Sequence, residues 1–388
     1  SNWDTSNVTT TQSMFRECQT ITSLDVSKWN TKNVTIMFAM FQNCNKLTSL
    51  NVSNWDTRNV TGMTSMFQYC NSLTSLDISN WDTSKVIAAH ALFYNTSTIT
   101  LNISNLDFSA LSMEFTPAAG TYLFACDTNS VNSDALTTLY FTNKDLPDTV
   151  DFFAMFTNRS GLKYIQCNNE NNLPILVEQI TNRQGMEPGY FVTNADYTTE
   201  MEVNLFIKNW NFINLNEIDN VIVQYKYDMN IYRDLLPVFN PEFTGYFWED
   251  EVEDETKPNI VTRTIKCIDA NLPTMVRFGT ELNTSDLKSE SLKELVYVNT
   301  AALTTARNMF NWCLNVEHIN TEGWDVSKVT DMYHMFTRCA KLTSLEVGHF
   351  DTGNVTNMNG TFAECLELRN IDVSNWDTRN NKQTGHMF

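Results

Sequence analysis

No run of 18 apolar residues occurs in this chain, so no segment is long enough to cross a bilayer as a helix. Charge is scarce too. Only 18% of the residues are Asp, Glu, Lys or Arg, and 45 acids against 26 bases leave a net charge of −19. Nucleic acids are held by neutralising phosphates with Lys and Arg, so the shortage of bases argues against such a partner. It argues equally against docking on an anionic membrane. Histidine is rarer still: His90, His318, His334, His349 and His386 are scattered along the chain. No Ser-His-Asp, Cys-His, HExxH or P-loop pattern appears. The chain therefore does not read as an enzyme, and no cofactor and no metal is expected.

What the sequence does have is a period. Trp3, Trp29, Trp55 and Trp81 recur at a step of 26 residues, as do Phe15, Phe41, Phe67 and Phe93, and Cys18, Cys44 and Cys70. The step returns near the other end in Phe310, Phe336, Phe362 and Phe388, and in Cys313, Cys339 and Cys365. A fixed period of roughly 20–50 residues is the signature of stacked repeats, each too small to bury its own apolar face. Between Trp55 and Trp81, Met63, Met66, Phe67 and Cys70 have helical spacing, so TGMTSMFQYC predicts a short helix with Thr61 as N-cap. Leu76 and Ile78 alternate with Ser75, Asp77 and Ser79, which predicts a short strand. Asp82-Thr83-Ser84 reads as a turn, because Asx and Ser side chains satisfy local N–H groups.

The run Phe67-x-x-Cys70-x-x-Leu73-x-x-Leu76-x-Ile78, with the tail Ser79 to Val86, resembles the leucine-rich repeats of BspA-like bacterial surface proteins. Similar repeats occur in mycoplasma lipoproteins and in phage proteins. The resemblance covers roughly residues 1–170 and 290–388. It implies a leucine-rich-repeat-like solenoid, non-catalytic, displayed outside the cell and in contact with hosts or neighbouring cells.

Along the chain, residues 1–170 form an N-terminal array whose copies loosen after residue 105. Residues 171–195 lose the period and hold Pro174, Gly185, Pro188 and Gly189, a cap or linker. Residues 196–285 carry β-branched and aromatic runs, among them 201–207, 221–227, 243–248, 260–268 and 274–280, and read as an all-β, sandwich-like domain. Residues 286–388 are a second array, opened by the strand at Leu292, Leu295 and Tyr297. The chain starts at Ser1 and stops at Phe388 in mid-repeat, which suggests a piece of a longer protein with any signal or lipid anchor outside it.

The Trp row offers flat π-faces for sugars, but Leu106 and Phe350 replace it in register, so the position demands burial. The cysteine row reads as buried thiols, since Thr96 and Arg159 stand in the same register where a required covalent partner would be needed. The acidic run Glu249, Asp250, Glu251, Glu253, Asp254 and Glu255 lacks the geometry of a calcium loop and reads as solvated. The best binding candidates are the small polar residues facing away from the core on the strands, Asp25, Asn51, Asp77, Glu346 and Asp372, together with Tyr246 and Trp248 of the β-region. The expected partner is a protein or glycan on another surface, or copies of the chain itself as a homo-oligomer. It would meet an open face, not a pocket. The expected function is surface-displayed binding or adhesion at the cell surface; the alternative is a structural subunit of an extracellular assembly such as a phage fibre, tail or capsid decoration, within a virion.

Overall fold

A computed structural model describes residues 3–98, 100–112, 122–125, 135–147, 155–156, 158, 161–181, 189–198, 201–202, 205, 210–232, 235–240, 243, 246–252, 257, 259–268, 272–281 and 286–388. The expected strand at 201–207 and the acidic residues Glu253, Asp254 and Glu255 lie wholly or partly outside them, as do Cys126 and Arg159. The chain divides into two compact units, Ser1–Asn214 and Leu215–Phe388.

In the first unit, neighbouring repeats pair in parallel at the 26-residue step. Strand β1 (Ser23–Leu24) pairs with β2 (Ser49–Leu50), and single bridges run Thr10 to Ile36 to Gly62 to Ala88. The helix predicted over TGMTSMFQYC does not form, and no described helix lies within the Trp-to-Trp repeats. The chain instead makes a train of tight turns. The N–H groups of Met63, Ser65, Phe67 and Tyr69 donate to Ala88, His90, Leu92 and Tyr94 carbonyls of the next repeat at 2.9, 2.9, 3.1 and 2.9 Å. Between them, Met66, Gln68 and Cys70 N–H groups donate back three residues, to Met63, Ser65 and Phe67, at 3.1, 3.2 and 3.2 Å. Successive N–H groups therefore alternate between a local turn and the neighbouring repeat.

That alternation requires a left-handed residue twice per repeat. Ser65 and Tyr69 have φ of 57° and 61°, and Ser13, Glu17, Ala39, Asn43, Ala91 and Asn95 occupy the same positions with the same sign. A residue with positive φ ends an α-helix, since it turns the next N–H out of the helical direction. The apolar spacing that suggested a helix survives because i to i+3 turns also return side chains inward every three or four positions. Met63, Met66, Phe67 and Cys70 are all fully buried. The predicted repeat strand is short or missing: residues 75–79 form none. The expectation of a helix-plus-strand, leucine-rich-repeat-like solenoid is thus overturned; the chain is built of β-sheets and tight turns.

Polar side chains tie the repeats together. Thr31, Thr57 and Thr83 hydroxyls donate forward to Asp56, Asp82 and Asp107 carbonyls at 3.0, 2.9 and 2.7 Å. Asn33 and Asn59 amides donate back to Ser6 and Lys32 carbonyls at 2.7 and 3.0 Å. Aromatic rings fill the interior in stacked rows, with Phe41, Phe67 and Phe93 at 5.8 and 6.0 Å, and Trp29, Trp55 and Trp81 at 6.1 and 6.2 Å.

The period does not end at residue 171. Strands β3 (Thr100–Asn102), β4 (Thr138–Tyr140), β5 (Tyr164–Gln166), β6 (Tyr190–Thr193) and β7 (Asn211–Asn214) form one parallel sheet in that order. Leu139, Ile165 and Phe191 are register partners, still 26 residues apart. The stretch read as a cap or linker contains helix α1 (Leu173–Thr181) and β6, with Pro174 inside the helix's first turn, where its missing N–H is harmless.

In the second unit, β8 (Val221–Asp228), β10 (Tyr246–Val252) and β11 (Ile260–Cys267) pair antiparallel in the order β10-β11-β8. A two-stranded pair, β9 (Val238–Phe239) with β12 (Val276–Arg277), is separate. Helix α2 (Leu287–Ser291), capped by Asp286, leads into β13 (Leu292–Val298). Strand β13 pairs antiparallel with β8 and parallel with β14 (His318–Ile319), the first strand of the second set of repeats. The expected sandwich is therefore corrected: the large sheet runs on into the repeats. Beneath it, Arg263 is buried between the Trp248 and Tyr227 rings at 5.1 Å each. It donates to both Asp250 carboxylate oxygens at 2.6 Å and to the Leu235 carbonyl at 3.1 Å.

Replacing Phe67 with Ala removes a ring stacked on both sides and is expected to destabilise the first unit by about 3–5 kcal/mol. Hydrogen exchange should show the loss confined to residues 1–214. Equal loss in 215–388 would mean that the two units unfold as one.

Candidate functional site

The outward polar positions expected on strands fall outside them, just past Leu24 and Leu50 in the first repeats, and are ordered by their own side chains. Asp25 accepts from the Ser27 N–H and hydroxyl at 3.2 and 2.7 Å, Asn51 from those of Ser53 at 3.4 and 3.0 Å, and Asp77 from those of Ser79 at 3.2 and 2.7 Å. Asp372 accepts from the Ser374 N–H at 2.9 Å. The Ser27 hydroxyl and amide hold Asp25 below the ordinary carboxylate value, and the Ser374 amide and hydroxyl do the same for Asp372. These residues thus close an Asx turn in each repeat. Asp25, Asn51 and Asp372 remain exposed and Asp77 half-buried, so they present a fixed row of small polar groups.

The aromatic candidates behave differently. Trp248 is buried over Arg263. Tyr246 is half-buried and packs on Phe239 and Phe243 at 4.8 and 5.5 Å. Asp25, Asn51 and Asp77 belong to the first unit, and Glu346, Asp372, Tyr246 and Trp248 to the second.

Glu346 stands in a site that sequence reasoning missed. An open groove of about 400 Å³ is lined by His318, Asn320, Thr321, Glu322, Ser344, Glu346 and His349. A second, of about 430 Å³, continues from His318 over Lys226, Asp228, Lys257, Lys293, Glu294 and Glu317. Both reach the ~300–1,000 Å³ usual for ligand sites, against the expectation that the sheet would offer only an open face. Register explains the assembly. Lys226, Glu294 and His318 are cross-strand partners on β8, β13 and β14, and Ser344 and Asn370 pair one and two repeats further on. Lys226 pairs with Glu294 at 2.9 Å, and Lys293 with Asp228 at 3.8 Å. His349 Nε2 meets the Thr321 carbonyl at 3.0 Å, anchoring one wall. The lining carries both signs, with acids in excess, and two of its lysines are tied to two of its acids. The signal available in the sequence was that His318 lies one period before Ser344; nothing in the repeat pointed to Lys226 or Lys293.

The remaining candidates are structural. Trp29, Trp55, Trp81, Trp324 and Trp376 are buried. Trp55, Trp81 and Trp376 Nε1 donate to Val26, Val52 and Val347 carbonyls of the preceding repeat at 3.1, 2.9 and 2.9 Å. In the acidic run, Glu249 pairs with Lys266 at 2.9 Å and Asp250 with Arg263. No group of three His, Cys, Asp or Glu residues arranged to hold a metal occurs among the described residues. The described cysteines are free thiols, and Cys44, Cys70, Cys339 and Cys365 lean on carbonyls of the preceding repeat at 3.1, 3.3, 3.4 and 3.0 Å. Burial pushes Cys44 and Cys365 up to about 11 and Cys167 up to about 12, and raises Cys70, Cys313 and Cys339 as well.

Comparison with known families agrees with the repeat. The family described as "Mycoplasma protein of unknown function, DUF285" matches residues 1–51, 20–118 and 284–388, together more than half of the chain. The chain belongs to this family. Within the groove, His318, Glu346 and Lys293 fall in DUF285 segments, whereas Lys226, Asp228 and Lys257 do not. No curated protein and no solved structure matches the chain.

Thiols that stay protonated when buried but ionise near 9 when unfolded stabilise the fold below that pH, and the contribution disappears as pH rises through the folded values near 11. Denaturant midpoints are therefore expected to fall between about pH 9 and 11, and less so in Cys70→Ala. A midpoint whose pH dependence is unchanged in Cys70→Ala would remove the thiol from the argument. At neutral pH the buried thiols of Cys44, Cys70, Cys313 and Cys339 should also resist thiol-reactive dye until unfolded, whereas Cys18 and Cys365, expected to be buried with them, are half-buried and should react sooner.

Proposed function

We propose that this DUF285 protein is a non-catalytic binding protein, displayed on an extracellular surface, that engages a partner protein along the outward strand face. The groove around His318 is its anchoring point. At a finer level than the family, its repeats resemble those of BspA-like surface proteins, which fits display and adhesion. The observation that carries the reading is the groove's lining: Lys226, Lys257 and Lys293 lie among Asp228, Glu294, Glu317, Glu322 and Glu346 along one open groove. Mixed signs complement another protein's mixed side chains better than a uniformly acidic glycan, which the net charge of −19 would also repel. Pairs already ordered before binding lose little entropy on contact.

Beads coated with the 388-residue protein are expected to adhere to cultured epithelial cells. Protease treatment of the cells should abolish attachment, and periodate should spare it. The double variant Lys293→Glu, Glu346→Lys should weaken attachment by about tenfold, equivalent to ~1.4 kcal/mol, with circular dichroism unchanged. Attachment that survives both protease and the double variant would overturn the proposal. Concentration-dependent self-association in light scattering, lost in the same variant, would make the partner a second copy and favour a structural subunit of an assembly.

A further inference from the structure

The turn trains of the first unit present a second surface. Inside, the rings lie face to face, with Phe41 and Phe67 tilted by 7° and Trp55 and Trp81 by 1°. Outside, they are turned edge to face. Tyr69 meets Tyr94 at 5.6 Å and 74°, Tyr94 meets Tyr122 at 6.2 Å and 81°, and His90 meets Tyr122 at 5.9 Å and 90°. Tyr69 stands two residues after its repeat's core Phe, Tyr94 one after, and Tyr122 two before, so the three step diagonally across consecutive repeats. Tyr122 is 38% exposed, and Tyr69, Tyr94 and His90 are half-buried. Beside the diagonal, Gln42 and Gln68, which occupy Tyr94's position in the two preceding repeats, bond to each other through their side chains.

The described residues of this surface also carry no fixed charge. Residues 36–45, 62–71, 88–97 and 122–125 include no Asp, Glu, Lys or Arg, in a chain whose net charge is −19. The feature is local. The same outward positions hold the ion pair Arg16–Glu17 in the first repeat, at 3.4 Å, and Arg307, Arg338 and Glu364 in the second unit. A half-exposed phenol offers an apolar face and a polar tip, and the neighbouring amides offer both donors and acceptors. A ligand matched to this has apolar faces, many hydroxyls and no charge. Among the described residues around the three tyrosines, acidic glycans and nucleic acids find no Lys or Arg to offset their phosphates, sulfates or carboxylates, and Arg16, beside Gln42, is already paired with Glu17.

We propose that Tyr69, Tyr94 and Tyr122, with Gln42 and Gln68 alongside, form a binding site for a neutral polysaccharide chain. The rings of the diagonal stack against successive sugars, and the glutamines take hydroxyls at the edge. The site uses none of the residues of the groove around His318, so either can fail without the other.

Affinity electrophoresis of the full 388-residue chain through gels containing dextran, a galactomannan or a mixed-linkage β-glucan tests it, with heparin as the acidic control. At least one neutral polymer should retard the protein and heparin should not. Tyr69→Asn and Tyr122→Asn should each weaken that retardation by about tenfold, as loss of a Tyr anchor commonly does. Asn tolerates their φ of 61° and 56°, and Asn43 and Asn308 stand left-handed at the equivalent positions, so both variants should fold. No retardation by any neutral polymer, retardation by heparin alone, or retardation that both variants retain would overturn the proposal.

Discussion

The fold depends on one hydrogen-bond pattern. Every second N–H of the turn train leaves its own repeat and donates to the next, while the N–H between closes a local turn. A helix would satisfy its N–H groups within itself and leave neighbouring repeats joined by side-chain contact alone. Here the backbone itself is the joint. The cost is a left-handed residue twice per repeat, eased where Asn, His or Gly holds the position and greatest at Ser, Ala, Glu, Tyr, Trp and Arg. The cost is offset by ladder bonds and by buried aromatic rows that form only when the repeats stack.

Much of this was legible and some was not. The rows of Trp, Phe and Cys stood out in the sequence, and the burial of Trp29, Trp55, Trp81, Trp324 and Trp376 follows from Leu106 and Phe350 replacing Trp in register. The helix was misread because turns closed at i+3 return Met63, Met66, Phe67 and Cys70 inward at a helix-like spacing. The left-handed positions carry no glycine signature, apart from Gly360, to give them away. The continuation of the period through Ile165 and Phe191 was hidden by a change of composition and by helix α1 lying between them.

The candidate site was legible only in part. The outward polar row was readable from alternation, but the tie between Asp25 and Ser27, or between Asp77 and Ser79, shows that its acids first close turns and only then face solvent. The groove was not readable, because β8 and β13 bring Lys226 and Lys293 to His318 by antiparallel pairing across segments with no common period. Trp248 looked like a surface anchor by type, and Arg263 turned it into the floor of the sheet.

The amide ladder has a consequence for how this protein can be handled. Asn33 and Asn59 each open an Asn-Val-Thr triplet, the acceptor sequence for N-linked glycans. Their Nδ2 atoms, the atoms such a linkage would use, already donate to Ser6 and Lys32 of the repeat before. A glycan on that nitrogen would replace one of its two N–H bonds and leave a single N–H to reach the neighbouring repeat's carbonyl. Each occupied triplet would therefore keep its joint only with the sugar turned out to solvent, whereas synthesis in a host lacking that modification leaves both N–H bonds to serve it.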